Sequence, residues 1–509
     1  MSNKKRNPIV VILGHVDHGK TTLIDAIRNT SIQLNEPSGI TQNIYLSTYK
    51  WRDNEITFVD TPGHEVFSLM RSNGGKVADL ALIVIAADES LRPQTIESFE
   101  IVNKNNLKYI VVITKIDKPG ANAEKIRSDL VKKGIYLEGY GGNIPYVEVS
   151  AVNKEGITEL LDLINLICEV ENVLDPEITD LVLFDKFGDI YKRIETYGVI
   201  LDSSVDKFLG KMAFGVLKKG EINRRDRILI GTNTEVVGPI FDYNKKAISK
   251  VKTGEPFILS GLSELPVAGT DLIKTDDLNT LQYNLRQNQP VCPTREVKDV
   301  DAFLDDLFDQ KAIDQKLFIL KTDVDASFQA IGPELEAFSS EDLSVKLLCG
   351  GVGNITESDI ENAKTFNAVI LGFRVRIDRK TQDVAKKQQV TYALFDTVYK
   401  LYDYIKEVID RAKSGECPEV VLGELTVKKV FELSDKTLVA GGVVTAGEIK
   451  KGQTYKITRN GEDVVGATGK IISIKVIKEE RPKVGKGTEC GINLGENVEV
   501  EEGDIVKVF

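Results

Sequence analysis

A run of nine residues near the N-terminus has the composition and spacing of a phosphate-binding loop. The run, Gly14-His-Val-Asp-His-Gly-Lys-Thr-Thr22, follows an apolar stretch typical of a strand and precedes a stretch that predicts a helix over residues 22–29. Glycine lets backbone N–H groups approach phosphate oxygens, and the start of a helix adds partial positive charge. Lys20 is expected to reach the β- and γ-phosphates of a nucleotide, and the Thr21 hydroxyl to bind Mg²⁺. The predicted nucleotide contacts in this loop are Asp17, His18, Gly19, Lys20, Thr21 and Thr22.

All three histidines of the 509-residue chain fall in two short motifs. Two lie in the loop above, and His64 ends the run Asp60-Thr-Pro-Gly-His64. Asp60 closes a predicted strand and has the position of the acid that holds Mg²⁺ through water in P-loop proteins. Thr41 is a candidate second hydroxyl ligand, in a loop that a γ-phosphate would order. Gly63 lets its N–H approach that phosphate, and His64, just after it, can orient an attacking water.

A second set of residues has the chemistry to recognise a guanine base. The run Thr114-Lys-Ile-Asp117 ends a predicted strand. The carboxylate of Asp117 can accept two N–H bonds from a guanine edge, a pair that adenine does not offer. The stem of Lys115 can lie along the base. Ser150 and Ala151 end the last strand and can supply a backbone N–H to the guanine oxygen, so we predict a guanine nucleotide.

These motifs fall at the ends of predicted strands in the first third of the chain. Apolar runs predict strands over residues 8–13, 56–60, 80–87, 109–114 and 145–149. The runs between them predict helices over residues 65–74, 93–103, 121–133 and 156–170. Continuous apolar strands alternating with helices indicate a parallel sheet covered on both faces, which binds ligands at the carboxyl ends of its strands. We therefore predict an α/β P-loop domain that binds the nucleotide over residues 1–173.

The rest of the chain predicts four further segments and makes the fold class a multidomain combination of α/β and β modules. Short strands between turns indicate a β-barrel over residues 174–285. Its run Ala213-Phe-Gly-Val-Leu-Lys-Lys-Gly-Glu-Ile222 recurs as Ala440-Gly-Gly-Val-Val-Thr-Ala-Gly-Glu-Ile449, so a second, related barrel is expected over residues 416–509. Residues 292–392 predict a small α/β/α domain. Residues 393–414 predict a connecting helix about 30 Å long, with an apolar face of Leu394, Val398, Leu401, Ile405 and Val408.

Composition limits the classes of partner and compartment. The net charge of −11 argues against a nonspecific nucleic-acid binder. Residues 450–486 differ, with ten lysines and arginines against four acids, a net charge of +6 that fits either a nucleic-acid contact or a solvated face. Five scattered cysteines argue against a zinc site or a disulfide framework. The longest apolar run, residues 80–87, is too short to span a membrane, so we expect a cytoplasmic protein with no membrane association.

The motifs and their order resemble those of bacterial translation initiation factor two, over residues 8–509. The motifs above are shared by translational GTPases, whereas the run Gly351-Val-Gly-Asn-Ile-Thr-Glu-Ser-Asp359 and the closing barrel single out this factor. Other matching runs are residues 39–42, 93–97, 118–122, 261–264 and 489–492. The resemblance implies a ribosome-stimulated GTPase that uses GTP, GDP and Mg²⁺. It also implies that His64 is catalytic, with Val16 and Ile40 as an apolar gate that keeps it from the attacking water.

The resemblance further implies the partners. It implies a monomer that binds initiator (formylmethionyl) tRNA through its last barrel and promotes its placement on the small ribosomal subunit. The factor would then promote joining of the large subunit, together with other initiation factors, and leave after hydrolysis. The tRNA contacts expected from the resemblance and the basic stretch are Lys475, Lys478, Lys483 and Cys490.

Several positions depart from the family pattern. Thr114 replaces an asparagine, and we expect it to brace the loop with weaker nucleotide affinity. The other departures are Val152 for a lysine, Asn43 for a histidine, Gly442 for a cysteine, and residues 495–500 for a loop that contains phenylalanine. The last two fall where the family forms its formylmethionine pocket.

Two other functions remain open at this stage. One is an elongation-type GTPase that delivers another tRNA, against which the α/β module and long helix before the last barrel argue. The other is a ribosome-bound scaffold whose nucleotide is merely structural. The presence of His64 beside an otherwise intact run, residues 60–63, argues against it.

Overall fold

The computed structural model describes residues 6–28, 41–52, 54–170, 172, 174, 176–278, 282, 314–340, 343–414, 423–432, 437–459, 462–476, 479–496 and 500–508. The chain forms two compact units, Met1–Ile409 and Asp410–Phe509. In the described part of the chain, no helix is both long and apolar enough to cross a membrane.

The first third of the chain forms one sheet with helices on both faces. Its strands are β1 Ile9–Gly14, β2 Tyr45–Trp51, β3 Asn54–Asp60, β4 Leu80–Ala86, β5 Lys108–Thr114 and β6 Tyr146–Glu148. Its helices are α1 Lys20–Arg28, α2 Ser68–Val77, α3 Pro93–Lys104, α4 Ala123–Lys132 and α5 Ile157–Val170. The strand order is β2-β3-β1-β4-β5-β6, parallel except for β2. Every residue of β1 and β4 is buried, which confirms the predicted parallel sheet because its strands are covered on both faces.

Two local features of this sheet differ from the prediction. The strand β2 was not predicted, because it lies at the sheet edge and its side chains are mostly half-buried rather than continuously apolar. Its tip is held by Trp51, whose Nε1 donates to Asp162 Oδ1 of α5 at 2.8 Å. The helix predicted over residues 65–74 begins as a 3₁₀ turn, Glu65–Phe67, and continues as α2.

The register of the sheet aligns the carboxyl ends of its central strands. Ile12 of β1 pairs with Asp60 of β3, and Gly14 of β1 pairs with Val84 of β4. In turn, β4 pairs with β5 up to Thr114. Because parallel strands end at a common edge, the predicted phosphate loop, Asp60 and the predicted base motif emerge side by side.

A second sheet follows, built from short antiparallel strands. Its strands are β7 Ile194–Asp206, β8 Gly210–Lys219, β9 Glu221–Asn223, β10 Arg227–Ile230, β11 Asn233–Val236, β12 Ile240–Phe241, β13 Ala247–Ile248, β14 Lys250–Lys252, β15 Pro256–Ser260 and β16 Asp271–Thr275. The main sheet has the order β11-β10-β16-β7-β8-β15-β12-β13, and β14 pairs with β9. The all-β prediction from residue 174 is wrong at its start, since α6 Pro176–Phe187 is a helix. Its Leu183 is buried in the same apolar cluster as the parallel sheet, a tertiary contact that the local pattern does not show.

The third sheet is small and parallel. Its strands are β17 Asp314–Thr322, β18 Leu343–Val352, β19 Val369–Phe373 and β20 Tyr392–Phe395, in the order β18-β17-β19-β20. Its helices are α7 Asp325–Glu336, α8 Glu357–Phe366 and α9 Arg379–Gln388. The predicted capping box at the start of α8 is present, with Thr356 and Asp359 each accepting from the other's backbone N–H. The strand–helix alternation predicted for this part of the chain is thus observed in residues 314–395.

The connecting helix is shorter than predicted. It is α10 Val398–Ser414, whereas the first residues of the predicted span belong to β20. Backbone pairing decides this boundary, because Tyr392 and Leu394 pair with Ile370 and Gly372 of β19. Leu394 therefore does not contribute to the apolar face of the helix and is 43% exposed. Val398, Leu401, Ile405 and Val408 of the predicted face are buried.

Buried carboxylates join the three sheets of the first unit. Asp79, at the start of β4, accepts from Arg6 Nη1 at 2.6 Å and lies 3.4 Å from Lys218 Nζ of β8. Burial acts to raise the pKa of Asp79, but Lys218 and Arg6 outweigh it and hold the pKa below its usual range. Between the second and third sheets, Asp202 accepts from the Ala326 backbone N–H at 3.0 Å. Burial raises the pKa of Asp202 well above its usual range, so of these two residues only Asp79 is a paired buried charge. Both carboxyl groups are hydrogen-bonded where the sheets meet.

The second unit is a sheet with the same strand order as the second sheet of the first unit. Its strands are β21 Gly423–Glu432, β22 Thr437–Lys450, β23 Thr454–Arg459, β24 Glu462–Lys470, β25 Ser473–Val476, β26 Glu479–Glu480, β27 Lys483–Gly485, β28 Glu489–Glu496 and β29 Ile505–Val508. The order is β24-β23-β29-β21-β22-β28-β25-β26, with β27 on β22. Taken in chain order, these strands occupy the same places as β7 to β16, because the end of β22 takes the place of β9. The shared order supports the repeat found in the sequence.

Gly442 lies in the interior of the second unit, where β22 is paired on both sides. A Cβ on Gly442 would lie 2.1 Å from the Thr426 carbonyl oxygen and 2.8 Å from Leu425 Cδ2. The departure from the family's cysteine at this position therefore has a steric basis in this chain.

We expect Gly442→Ala to destabilise the second unit by about 1–3 kcal/mol, the usual effect of overpacking a core. The melting temperature of this unit should fall by about 4 °C or more. The matched control is Gly485→Ala, because a Cβ there meets nothing within 4 Å. Calorimetry of both variants is the measurement, and equal melting temperatures would contradict the steric account.

Candidate functional site

Lys20 lies at the centre of the loop predicted to hold phosphates. It opens α1, its side chain is buried, and its Nζ donates to the carbonyl oxygens of Gly14 at 3.1 Å and His15 at 2.6 Å. Burial lowers the pKa of Lys20 to about 8, although Asp60 acts in the opposite direction. A Cβ on Gly63 would lie only 2.3 Å from Nζ. An ammonium group held by neutral carbonyls can exchange them for phosphate oxygens, which carry full negative charge.

The backbone of the loop requires its glycines. Gly14 has a φ of +147°, and a Cβ there would lie 2.4 Å from the Val84 carbonyl oxygen. Gly19 also has a positive φ, +85°, and so does Asp17, at 63°. Thr22 lies half-buried in the first turn of α1. Loops with residues in such conformations can direct backbone N–H groups into a concavity that binds anions.

Three oxygen-bearing side chains meet beside Lys20, as the sequence predicted for a magnesium site. Thr21 Oγ1 lies 2.5 Å from Thr41 Oγ1 and donates to Asp60 Oδ2 at 2.9 Å. The three residues come from α1, the segment before β2 and the end of β3. Two hydroxyls and a carboxylate fit Mg²⁺, which prefers oxygen ligands and often binds through one or two carboxylates and waters. Magnesium ligation itself stays a prediction.

His64 lies at the turn between β3 and α2. Its Nδ1 accepts from the Val66 backbone N–H at 3.2 Å and caps the 3₁₀ turn. Because Nδ1 is an acceptor, the ring is neutral with its proton on Nε2. Burial lowers the pKa of His64, and the charge of Arg71 lowers it further. The ring packs edge-to-face against Tyr399 of α10, with 4.8 Å between centroids.

Of the two residues predicted to form an apolar gate near His64, the structure describes Val16 only. Val16 lies beside the turn that precedes His64, since a Cβ on Gly63 would be 2.6 Å from the Val16 nitrogen. Ile40 lies outside the described residues. The gate stays a prediction.

The predicted base motif is connected to the phosphate loop through Thr114. Thr114 Oγ1 donates to the His18 carbonyl oxygen at 2.5 Å, which is the bracing contact expected from the sequence. Ser150 Oγ donates to Asp117 Oδ1 at 2.5 Å and accepts from the Asn153 N–H at 3.1 Å. One carboxylate oxygen of Asp117 is thus positioned by the strand end that carries Ser150.

The residues that flank the base motif lie at the same strand ends, and their contacts with a base stay a prediction. Lys115 has a positive φ of 58° and follows β5 directly. Ala151 is half-buried beside Ser150. Val152 is 76% exposed and contributes no charged cover to this end of the site.

An acidic pair at the end of β4 was missed by the sequence reasoning. Lys115 Nζ lies 3.7 Å from Asp88 Oδ1 and 3.9 Å from Glu89 Oε1. Glu89 Oε2 also lies 3.7 Å from Nε2 of His18, a buried side chain whose pKa burial lowers to about 4. The pair follows the apolar run of β4 directly, so its place at a strand end was the available signal.

Contacts from the region around the third sheet to residues 42 and 43 and to His64 were also missed by the sequence reasoning. Gln42 Nε2 donates to the Asp396 carbonyl oxygen at 3.3 Å, just before α10. Asn43 Nδ2 donates to Asp323 Oδ2 at 3.3 Å. Together with Tyr399 against His64, these contacts connect both segments beside the predicted metal to one neighbouring region. The partners lie about three hundred residues apart in sequence, so no local sequence pattern predicts these contacts.

The residues predicted to contact tRNA have different surroundings in the second unit. Lys475 of β25 and Lys483 of β27 are exposed, and Lys478 lies outside the described residues. Cys490 is only 6% exposed, and burial raises the pKa of its thiol to about 11. The prediction of a direct tRNA contact for Cys490 is therefore corrected. Alternation along β28 turns this side chain inward, beside Ile492 in the apolar core.

Three family models match successive parts of the chain. Residues 5–169 match "Elongation factor Tu GTP binding domain", residues 195–275 match "Elongation factor G domain 2", and residues 294–406 match "Translation-initiation factor 2".

Curated relatives match the chain over nearly all of its length. Translation initiation factor IF-2 of Thermoanaerobacter sp. (strain X514) is 34% identical, over 99% of this chain and 71% of that protein. The protein of the same name from Desulforamulus reducens is 34% identical, over 99% of this chain and 50% of its own length. The protein of the same name from Carboxydothermus hydrogenoformans is 33% identical, over 100% of this chain and 60% of its own length. The chain thus spans about half to seven tenths of these relatives.

We expect Thr114→Val to weaken GDP binding. The change keeps the side-chain shape but leaves the His18 carbonyl without this donor, and a net hydrogen bond contributes about 0.5–1.5 kcal/mol. The dissociation constant for a fluorescent GDP analogue should rise about 2- to 12-fold. The control is Thr253→Val, which removes a hydroxyl that donates to the Gly220 carbonyl at 2.7 Å, away from the site. If both variants bind like the parent, Thr114 does not brace the loop.

Proposed function

The chain belongs to the translation initiation factor IF-2 family, and from this premise we propose that it is a GTPase of translation initiation. It binds initiator (formylmethionyl) tRNA, promotes its placement on the small ribosomal subunit with other initiation factors, and promotes joining of the large subunit in the cytoplasm. The observation that carries the proposal is the meeting of Lys20, the Thr21–Thr41–Asp60 cluster and the Thr114–Asp117 motif at one sheet edge.

Different residues at this edge would bind the phosphates and the base of GTP. Lys20 exchanges its carbonyl partners for phosphate oxygens, and the loop N–H groups hold the same phosphates. Asp117, held by Ser150, accepts the N–H groups of the guanine edge. Thr114 connects the two ends, because its hydroxyl joins the base motif to the phosphate loop. A nucleotide that lacks the guanine donors would leave Asp117 partly unsatisfied, which favours guanine over adenine.

Thr21 and Thr41 would hold Mg²⁺ directly and Asp60 would hold it through water, and the bound ion would supply positive charge that offsets the charge developing on the phosphates. The hydroxyl of Thr41 also joins the segment before β2 to this cluster. A change at the phosphates can therefore reach residues 42 and 43 and their contacts with the third sheet.

His64 orients the attacking water in this proposal. Nε2 carries the ring proton, so the ring can donate a hydrogen bond to a water oxygen, while Nδ1 is engaged by Val66. At neutral pH the ring stays uncharged because its pKa is lowered by burial. The contact with Tyr399 holds the ring against α10, so the ribosome would have to reshape this turn before His64 acts.

We expect His64→Ala to leave GTP binding and subunit joining near the parental level, because the side chain is not needed to hold the nucleotide. Ribosome-stimulated turnover should fall by at least about 100-fold, or about 2.7 kcal/mol of barrier. The measurement is single-turnover GTP hydrolysis with and without ribosomes. Turnover within about threefold of the parent, a loss of under about 1 kcal/mol, would show that His64 is structural.

The second unit carries the tRNA contact in this proposal. Lys475 and Lys483 are exposed on strands of the basic stretch, so their charges can meet phosphates. Lys475 lies opposite Glu480 on β26, and Lys483 lies opposite Lys450 on β22. The interior position of Cys490 excludes the thiol from a direct role, so the expected contact is electrostatic. Such contacts release counterions and weaken steeply with salt.

We expect the double reversal Lys475→Glu and Lys483→Glu in the full chain to weaken binding of initiator tRNA at least about tenfold at moderate salt. The slope of log affinity against log salt should become shallower by about 1 to 2, since fewer phosphates are neutralised. Lys132→Glu on α4, whose side chain is 71% exposed, is the matched control. Filter binding with formylated and unformylated tRNA is the measurement, and an unchanged salt slope would exclude these lysines as the contact.

A further inference from the structure

Arg71 of α2 is a fully buried arginine in the first unit, and its side chain is 0% exposed. Its guanidinium donates to the carbonyl oxygens of three residues on the turn between β3 and α2. The acceptors are Pro62 at 3.0 Å, His64 at 2.5 Å and Glu65 at 3.4 Å. Arg71 Nη2 also donates to Glu97 Oε2 of α3 at 2.6 Å, and Nε donates to Oε1 at 3.3 Å. A buried charge is tolerated only when paired and hydrogen-bonded in this way.

The three carbonyl acceptors lie on both sides of His64 and on His64 itself. Their relative positions are therefore held by one planar group with a fixed arrangement of donors. Glu97 ends the run of residues 93–97 that matches the family, and the sequence alone indicates no role for it. In the structure it is the counterion that keeps the guanidinium over this turn.

We propose that Arg71 is a positioning residue that sets the placement of His64 for GTP hydrolysis, with Glu97 as its counterion. The inference rests on the proposed function, because His64 is the residue through which Arg71 acts. Val66 and Tyr399 contact the His64 ring, whereas Arg71 holds the backbone that carries it. A shift of about 1 Å in such a turn is enough to misplace an oriented water.

A purely structural role for Arg71 would be to join α2 to α3. Other contacts already bring these helices together, since Gly75 packs so tightly that a Cβ there would be 2.7 Å from Ile101 Cγ2. Three of the five hydrogen bonds from Arg71 go to the turn and two go to a single carboxylate. The number of bonds to the turn is more than helix packing requires.

The variants are Arg71→Lys and Glu97→Gln in the full chain, each also combined with His64→Ala. Lysine keeps the charge but is a compact donor that cannot span the three carbonyls. Ribosome-stimulated GTP hydrolysis is measured over a range of ribosome concentrations, with GDP affinity and melting temperature alongside. The matched control is Arg193→Lys, because Arg193 pairs with Asp277 with a side chain that is 67% exposed.

We expect Arg71→Lys to lower kcat at least about tenfold, while KM for ribosomes and GDP affinity stay within about threefold. In the His64→Ala background the same change should lower kcat by less than about twofold, because residues that act through one another are not additive. Glu97→Gln should show the same pattern with a smaller loss. If Arg71→Lys does not fold, seen as a lost melting transition, Glu97→Gln provides the same comparison. The Arg193→Lys control should match the parent.

Two results would overturn the inference while leaving the proposed function intact. One is a ribosome-stimulated parent whose Arg71→Lys and Glu97→Gln variants keep kcat within about threefold. The other is an equal loss of kcat with and without His64, which would make Arg71 structural. A parent that ribosomes do not stimulate overturns the proposed function and the inference together.

Discussion

The contact between Gly14 and Val84 is the constraint on which the nucleotide site depends. The chain leaves β1 at Gly14 with a backbone so close to the Val84 carbonyl oxygen that a Cβ would lie 2.4 Å away. The loop that follows returns to the same place, because His18 Nδ1 lies 3.2 Å from that oxygen and Lys20 Nζ contacts the Gly14 carbonyl. Only glycine permits this path, and the path aims Lys20 at the predicted phosphates.

Three buried charged residues of the first unit, Asp79, Arg71 and Lys20, differ in the partners that the described structure gives them. Asp79 is paired with Arg6 and Lys218, and Arg71 with Glu97, so their positions are set by strong contacts on several sides. Lys20 donates to neutral carbonyl oxygens, and its lowered pKa reflects what burial does to an ammonium group in that setting. A buried ammonium group with neutral partners gains most when an anion arrives.

Residues 41–43 and His64 couple this rigid site to the rest of the first unit. Thr41 contacts Thr21 in the predicted metal cluster, while its neighbours Gln42 and Asn43 donate to the third-sheet region. The His64 carbonyl oxygen accepts a hydrogen bond from Arg71, and the His64 ring packs against the Tyr399 ring. The same few residues therefore connect the predicted metal cluster to the third-sheet region, and His64 also contacts α10.

The sequence by itself determined the parallel sheet, the phosphate loop, the brace by Thr114 and the repeated β-sheet. Each of these is a local pattern, and the shared edge of parallel strands brings local motifs together without further information. Only the tertiary structure decided the partners of Arg71, the contact of His64 with Tyr399 and the pairing that turns Tyr392–Phe395 into a strand. It also decided that Cys490 faces the core. Those outcomes depend on which distant segments supply a counterion, a ring or a backbone partner, and a short stretch of sequence does not contain that choice.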